Sequence, residues 1–361
     1  MQEEEAELEG AEQPDEEYSD YNEILVDPNQ SPIRIDKFLI DRLQRVSRNR
    51  LQNAIRAGSI RVDGQEIKPN FKVKPGQSIT VLVPKPPGGG TRVVPQRMPL
   101  DIIYEDDDLL VLHKPAGLVV HPGVGHWRGT LVNALAWHFQ QNKAPVVGDG
   151  QDNRVGLVHR IDKNTSGLMV VAKTEYALSH LAKQFFYHTV QRTYYAMVWG
   201  EPEADQGTVR GHVGRDRKDR QLFTVFPEGD HGKWAVTHFK VLERLYYVSL
   251  VQCNLETGRT HQIRVHMKHI GHPLFSDERY GGDYIVKGTV FSKYKMFVQK
   301  AFNIMPRHAL HAKSLGFIHP TTGEAMYFDS ELPADFNDAL SEWRQYVAQR
   351  KAAMEKSGQP L

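Results

Sequence analysis

Apolar residues between positions 34 and 83 recur first at helical spacing and then at strand spacing. The first predicted helix carries four of them on one face: Phe38, Leu39, Leu43 and Val46. Ser47 stands where it caps a second helix, which ends at Gly58. Asp63-Gly64 lies between alternating residues, a pattern typical of a tight hairpin, and 78–83 follows as a strand. The pattern predicts a small unit of two short helices and a β element.

Residues 100–350 change to many strand-like runs with few helices. Five apolar runs have the length and composition of strands: 102–104, 109–112, 167–172, 194–198 and 247–251. Helices are predicted at 176–187 and at 260–269. The stretch 282–306 lacks a clear period and is expected to be an insertion, helical near 293–303. Because strands and helices are grouped rather than alternating, the pattern favours an α+β fold.

Composition sets the boundaries between these units. Residues 1–22 carry ten Asp and Glu and no Lys or Arg, which predicts a disordered acidic tail. Proline and glycine make the segment after residue 85 a linker, and 361 residues are enough for two domains. The predicted division is a tail at 1–22, a small domain at 23–85, a linker at 86–99, a large domain at 100–350 and a tail at 351–361.

The formal net charge of +1 conceals an uneven distribution. Without the acidic tail the chain has 45 basic and 34 acidic side chains, a balance of +11, and residues 34–85 alone have a balance of +8. Five arginines lie on or beside the two predicted helices: Arg42, Arg45, Arg48, Arg50 and Arg56. A basic surface suits a phosphate-bearing partner, although charge alone fits a merely soluble surface with an acidic tail equally well. For the arginines of the small unit, the alternative is a solvated helix face.

Several classes of protein are excluded by what the sequence lacks. The acidic N-terminus has no signal-peptide pattern, and no apolar run reaches the ~20 residues of a membrane helix. A single cysteine, Cys253, excludes an internal disulfide and agrees with the cytoplasm. The 17 histidines show no metal-ligand spacing, and no glycine-rich nucleotide loop is present. We therefore expect no metal and no cofactor.

The segment 158–173 places one carboxylate, Asp162, in a polar turn between apolar runs. A strand–loop–strand of this kind holds a side chain at the edge of a rigid sheet, where catalytic groups are often found. Thr165, Ser166 and Gly167 can order the loop by local hydrogen bonds. The alternative is an ordinary aspartate turn, which is the commoner role of such a residue.

Three further segments combine basic, aromatic and histidine side chains: 192–200, 258–266 and 307–312. The second is predicted to be a loop entering a helix, from which Arg259 and Arg264 can reach a carboxylate or a phosphate. Arg307 and His311 are four residues apart and share a face if their segment is helical. Each signal is weak alone, because Tyr194 also fits a core position and Arg264 a surface ion pair. Together they surround an aspartate with an arginine, an aromatic ring and basic groups.

The small domain resembles an S4-type RNA-binding domain. The matching residues are Arg34-Ile-Asp-Lys-Phe-Leu, Gly58-Ser-Ile-Arg-Val-Asp-Gly and Val73-Lys-Pro-Gly-Gln. The large domain resembles the RluA/RluD family of pseudouridine synthases through four blocks in order: His159-Arg-Ile-Asp-Lys-Asn-Thr-Ser-Gly-Leu, Arg192-Thr-Tyr, Gly258-Arg-Thr-His-Gln-Ile-Arg and Arg307-His-Ala-Leu-His-Ala. Outer blocks at 113–118 and 319–323 agree. The resemblance covers most of the chain.

The resemblance implies a mixed, mainly antiparallel catalytic sheet and a set of residue roles. Asp162 would be the catalytic aspartate, Arg264 its partner and Tyr194 the ring against the target uracil, while Arg160 would enter the RNA stack. Further substrate or RNA contacts are expected of His159, Thr165, Arg192, Arg259, His261, Gln262 and Lys114, with Arg42, Arg45, Arg48 and Arg50 of the small domain. The sequence has Ile161 where leucine is common, and Arg192 where lysine is common.

The implied substrate is RNA, with large-subunit ribosomal RNA favoured over transfer RNA, and the protein is expected to be a monomer that does not contact a membrane. Two other functions stay open at this stage. A non-catalytic RNA-binding assembly factor explains the basic small domain but not the group around Asp162. A glycosidase ordinarily needs two placed carboxylates, and Glu256 and Asp277 have no evident partner role in the sequence.

Overall fold

Two main sheets organise the protein in the computed structural model, which describes residues 19–43, 46–84, 93–123, 126–142, 155–289 and 291–357. The first unit contains strands β1 (Ser19–Leu25), β2 (Ile33–Arg34), β3 (Ile60–Val62), β4 (Gln65–Glu66), β5 (Lys72–Val73) and β6 (Ser78–Pro84), with helices α1 (Ile35–Ile40) and α2 (Arg48–Arg56). Its sheet has the order β1-β6-β3-β4, while β2 pairs with β5. Both helices pack their apolar residues on this sheet.

Local sequence patterns predicted most elements of this unit correctly. Ser47 caps α2, since its hydroxyl accepts from the amide of Arg50 at 3.3 Å. Asp63 and Gly64 have φ of 49° and 76° and connect β3 to β4, which confirms the predicted hairpin. The first helix was predicted too long, because it ends at Ile40 and Leu43 packs on the core from a turn.

The predicted end of the acidic tail at residue 22 was wrong. Strand β1 begins at Ser19 and pairs antiparallel with β6 along its length. The pairing satisfies backbone groups along an edge of β6 that would otherwise be left open. The high negative charge of the segment led to the prediction of disorder, but a charged segment can still pair as a β-strand. Residues 1–18 lie outside the described part of the chain.

The second unit is built on a ten-stranded sheet with helices on its faces. Its strands are β7 (Asp101–Glu105), β8 (Leu109–Lys114), β9 (Ser166–Ala172), β10 (Gln191–Trp199), β11 (Gln206–Arg215), β12 (Phe223–Phe226), β13 (Lys233–Arg244), β14 (Val248–Leu255), β15 (Leu310–Ile318) and β16 (Ala325–Asp329). Its helices are α3 (Leu131–Gln141), α4 (Glu175–Phe186), α5 (Gln262–His269), α6 (Ser292–Ile304) and α7 (Ala334–Ser357).

The strand order is β12-β11-β13-β14-β10-β15-β9-β8-β7, with β16 beside β15. Strands β15 and β9 are parallel and the other described pairs are antiparallel, which confirms the mixed, mainly antiparallel α+β prediction. Alternate residues of β8 and β9 face opposite layers, so both faces are apolar. Leu112 and Met169 pack in the layer of α3, whereas Val111 and Val170 pack in the layer of α4.

Three segments at the margins of this domain are more ordered than predicted. Part of the expected linker is bound to the domain, because Asn133 Nδ2 donates to Val94 O at 2.8 Å; residues 86–92 of it lie outside the described chain. The expected insertion at 282–306 contains α6, as predicted near 293–303, but α6 packs on α7 through buried core residues. Helix α7 continues to Ser357, past the predicted end of the domain at residue 350.

Candidate active site

The loop that carries Asp162 is held by one local hydrogen bond and by contacts with Arg307 and His308. The amide of Thr165 donates to Asp162 O at 3.1 Å and closes a turn just before β9. The hydroxyl of Thr165 lies 2.9 Å from Nε2 of His308, and Arg307 Nη1 donates to Asn164 O at 2.9 Å. The predicted strand–loop–strand is half correct: β9 follows the loop, but the preceding residues form a single bridge from Leu157 to Val171.

The segment 307–312 supports this loop without being a helix. Leu310 begins β15, so the conditional helical pairing of Arg307 with His311 does not occur. The two side chains meet instead at Ser166, whose hydroxyl lies 3.3 Å from Arg307 Nη2 and 2.9 Å from His311 Nδ1. Asp335 at the start of α7 binds the guanidinium of Arg307 at 2.7 and 3.0 Å. This network therefore holds the start of β9 rather than facing solvent.

Arg264, on α5, links two aspartates. Its Nη1 donates to Asp162 Oδ2 at 2.9 Å, which is the contact the sequence analysis predicted. Its Nε and Nη2 donate to the two carboxylate oxygens of Asp277 at 2.8 and 2.9 Å. Arg264 and Asp277 are only 4% and 1% exposed, so the pair is desolvated and its geometry is fixed.

Asp277 is the main residue that the sequence analysis missed. It was given no partner role, yet it is the bidentate partner of Arg264. Its Oδ1 also accepts from the amides of Arg279 and Tyr280 at 3.2 Å each. Locally it is therefore an aspartate turn, a common pattern, and its distance of 13 residues from Arg264 gives no periodic signal. The signal available was an acidic residue following the helix that carries Arg264.

The environment of Asp162 favours its ionised form. Burial alone would raise the pKa of Asp162, but the fields of His261, Arg264 and His308 and the hydrogen bond from Arg264 hold that pKa below its usual value. Burial lowers the pKa of His261 to about 4 and that of His308 to about 3, so both imidazoles are neutral near neutral pH. The guanidinium of Arg264 is then the charge that keeps Asp162 ionised.

The entry to α5 brings His261 and Gln262 to the site. His261 has a left-handed φ of 55°, and its Nε2 lies 3.9 Å from Asp162 Oδ2 while Nδ1 contacts the hydroxyl of Tyr280 at 2.7 Å. Gln262 is buried; its amide donates to Val236 O at 3.0 Å and its carbonyl accepts from the amide of Arg259 at 3.0 Å. Gln262 thus anchors the loop to β13, whereas His261 borders the carboxylate.

A cavity of about 350 Å³ opens beside Asp162, within the size range of small-ligand sites. Ten residues named as site candidates line it: Asp162, Arg264, Tyr194, Arg160, His159, Thr165, Arg192, Arg259, His261 and Gln262. Its apolar wall includes Val158, Ile161, Phe185, Leu255 and Leu310. Asp162 is the single carboxylate among the described residues of this wall. Asp277 lies behind Arg264 and cannot act as the second carboxylate of a glycosidase.

The aromatic and basic residues of the wall are held by their neighbours. Tyr194, on β10, is 8% exposed and presents its ring beside the apolar core. The ring of His159 stacks on Phe185 with centroids 4.5 Å apart, and its Nε2 accepts from the amide of Val170. Arg192 Nη2 donates to Glu256 O at 3.2 Å. The wall therefore has a preformed shape.

Lys114 and one arginine of the first unit lie elsewhere than expected. Lys114 is fully buried and donates to the carbonyls of Pro115, Leu118 and Lys163 at 2.9–3.0 Å, so its ammonium is directed into the protein and not towards RNA. Arg50 is also buried, and its Nη2 donates to Pro84 O at 3.0 Å.

Arg48 and Arg42 remain on the surface of the first unit. Arg48 is half exposed and pairs with the buried Asp36 at 3.0 Å, whereas Arg42 stacks over the ring of Phe38. Arg45 lies outside the described residues. Within the described chain, no group of three or more His, Cys, Asp or Glu is placed to hold a metal ion. No helix of that part is long and apolar enough to span a bilayer.

Comparison with known proteins identifies this arrangement. The model of the family described as RNA pseudouridylate synthase matches residues 108–269, and that of the S4 domain matches residues 33–79. An uncharacterized RNA pseudouridine synthase of Chlorobaculum parvum is 43% identical over 316 residues, which cover 87% of this chain and 95% of that protein. The chain belongs to the RNA pseudouridine synthase family.

Other relatives of this RNA pseudouridine synthase agree. The ribosomal large subunit pseudouridine synthase D of Zymomonas mobilis is 43% identical over 304 residues, which cover 84% of this chain and 91% of that protein. The solved structure of human RNA pseudouridylate synthase domain containing 4 is similar with a TM-score of 0.52 and 25% identity, covering 68% of this chain and 93% of that one. The matched range 108–269 includes both Asp162 and Arg264.

Proposed function

We propose that this RNA pseudouridine synthase isomerises uridine in large-subunit ribosomal RNA with Asp162 as its catalytic carboxylate. The observation that carries the proposal is the 2.9 Å contact between Asp162 and Arg264 at the wall of the 350 Å³ cavity. The substrate is supported by the name of the relatives called ribosomal large subunit pseudouridine synthase D, 43% identical over most of the chain.

The reaction needs no external electrons. The C1′–N1 bond of the uridine breaks and a C1′–C5 bond forms, while C5 loses a proton and N1 gains one. A carboxylate that stays ionised in a desolvated place can act as a nucleophile or as a base in such a sequence. Arg264 keeps Asp162 in that state, and its own bond to Asp277 fixes its direction.

The target base must leave its stack to reach Asp162. Unstacking costs a few kcal/mol, which aromatic stacking of about 1–3 kcal/mol per base can offset. We assign Tyr194 to the face of the everted uracil and Arg160 to the gap left in the RNA, because both line the cavity. Thr165, His159, Arg192, Arg259, His261 and Gln262 shape the wall, and Lys114 holds the loop from behind.

The assay that tests the proposal compares two RNAs. The purified protein is incubated with a transcript of large-subunit ribosomal RNA or with transfer RNA, and pseudouridine is counted by mass spectrometry of the nucleosides. We expect product from the ribosomal transcript. Product from transfer RNA alone would overturn the substrate assignment, and product from neither would overturn the activity. That the protein is a monomer in the cytoplasm stays our prediction. Sedimentation of the free protein measures its oligomeric state.

A further inference from the structure

Helix α4 belongs to the catalytic domain but contacts the S4 unit along its length. In its middle, the buried hydroxyl of Ser59 donates to Ser179 O at 3.3 Å. At its end, the rings of Phe186 and Tyr21 stack with centroids 5.6 Å apart and an angle of 16°. Ser59 and Tyr21 come from strands and loops of the S4 unit. The two units therefore meet at a defined surface rather than only through the linker.

The most specific contact at this surface is made by Lys183. Its Nζ donates to the carbonyls of Ala57 and Gly58 at 2.9 and 3.5 Å and lies 3.4 Å from Glu66 Oε1. The carbonyls at the end of α2 have no partner within that helix, so Lys183 caps α2 from another domain. Gly58 has φ of 67°, a left-handed conformation that favours glycine at the end of this helix.

The same helix forms part of the catalytic cavity. Ala182, Phe185 and Phe186 line it, and Phe185 stacks on His159, which is itself in the wall. An α-helix with its side chains is about 10–12 Å across. The S4 unit is thus separated from the cavity by one helix, and the residue that holds the S4 unit is next to residues that line the cavity.

We propose that Lys183 is a positioning residue that fixes the S4 unit against α4, so that the enzyme selects structured RNA able to reach both surfaces. The proposal rests on the proposed function. In this arrangement Arg50 is buried, with its Nε 4.0 Å from Glu175 Oε2 of α4, whereas Arg42, Arg48 and Arg56 are exposed on the S4 unit. Because the S4 surface and the cavity are rigidly linked, an RNA that has bound one of them reaches the other in an intramolecular step. This raises the overall affinity for an RNA that contacts both. A short RNA that occupies only the cavity gains nothing from this link.

The test compares Lys183→Met with Lys183→Arg in the full-length protein. Two RNAs are used: a structured ribosomal fragment and a short uridine-containing oligonucleotide, each with KM, kcat and dissociation constant measured. For Lys183→Met we expect KM and dissociation constant on the structured RNA to rise by roughly 10- to 100-fold, with kcat unchanged. Values on the oligonucleotide stay the same. Lys183→Arg recovers the wild-type preference, because its guanidinium can reach the same carbonyls.

Two more variants separate positioning from folding. Tyr21→Ala weakens the same surface from the S4 side and is expected to act in the same direction. Lys295→Met replaces an exposed lysine on α6 and is the matched control. It should leave KM, kcat and the dissociation constant on both RNAs unchanged. Small-angle X-ray scattering should show a larger radius for Lys183→Met. If Lys183→Met does not fold, Tyr21→Ala carries the test by itself.

The outcomes distinguish the two proposals. An equal fall of kcat on both RNAs, or an unchanged affinity for the structured RNA in the folded variants, would overturn the positioning role of Lys183. If the wild-type protein forms product on neither RNA, the proposed function would be overturned instead. In that case the dissociation constants still decide whether Lys183 links the two surfaces.

Discussion

Arg264 binds Asp277 through Nε and Nη2 at 2.8 and 2.9 Å, and this leaves only Nη1 for Asp162. The guanidinium therefore cannot rotate about its own axis without breaking two charged hydrogen bonds. Such bidentate pairs are among the stronger polar contacts in proteins. The direction of the group that faces Asp162 is set by a residue outside the cavity.

Asp162→Asn is predicted to abolish pseudouridine formation while RNA binding persists. The amide has nearly the same shape but no negative charge, so it can neither attack nor take a proton. Nucleoside mass spectrometry and a filter-binding assay measure the two properties. Asp283→Asn, an exposed aspartate, is the control and should keep full activity. Turnover by Asp162→Asn at the wild-type rate would remove this residue from the mechanism.

Arg264→Gln is predicted to move the acid limb of kcat/KM to higher pH. In the wild type the charge and the hydrogen bond of Arg264 help to hold the pKa of Asp162 below its usual value. Without them that pKa rises, because burial raises it and only the neighbouring histidines still lower it. The ionised Asp162 stabilises the fold above its unfolded pKa, and this stabilisation is lost as the pH falls through the folded value. In the variant the loss begins at higher pH.

The pH profile of Arg264→Gln is measured between pH 4 and 8, beside that of Arg264→Lys. Lysine keeps one positive charge, so its limb should lie between those of the wild type and the glutamine variant. Identical limbs in all three proteins would show that Asp162 does not respond to Arg264.

Asp277→Asn is predicted to lower the free energy of unfolding by about 3–5 kcal/mol, since it breaks a buried pair from one side. We also expect kcat to fall, because Arg264 loses its anchor. Chemical denaturation and single-turnover kinetics provide the two values. Glu342→Gln removes the partner of Lys300 in a solvent-exposed pair and should change stability by only about 0–1 kcal/mol. Equal effects of the two changes would contradict the role given to Asp277.

Lys114→Met is predicted to destabilise the protein by about 1–3 kcal/mol, because the carbonyls of Pro115 and Leu118 lose the ammonium that donates to them. The carbonyl of Lys163, which follows Asp162, keeps the amide of Gly117 as a donor but loses the ammonium, so kcat should fall as well. Three acceptors match the three N–H donors of an ammonium, although burial lowers the pKa of Lys114 to about 7. Thermal denaturation is compared with that of Lys295→Met, which should behave like the wild type.

Elements with strong local signals could be predicted from the sequence. Ser47 caps its helix, Asp63-Gly64 forms its hairpin, and the Gly258 segment leads into α5. The contact of Asp162 with Arg264 was also expected, although 102 residues separate them, because both lie in recognisable motifs. In these cases the local chemistry and the tertiary structure agree.

The remainder depended on contacts that no local pattern records. Asp277 resembles any aspartate turn until its neighbour Arg264 is known, and Arg50 resembles any surface arginine until its contacts with Pro84 and with Glu175 of the second domain are known. Lys114 carries no sign of its burial. The strands β11 to β13 were not predicted individually, because their exposed faces and glycines weaken the apolar alternation.

The parallel pairing of β15 with β9 has a consequence for synthesis on the ribosome. Residues 307–311 support the Asp162 loop, yet they are made more than a hundred residues after it. Contacts at such sequence separation form late and slowly. While the Asp162 loop has been synthesised but β15 has not, the loop lacks the contacts that hold it in place. We therefore expect the protein to acquire its activity only when translation is nearly finished.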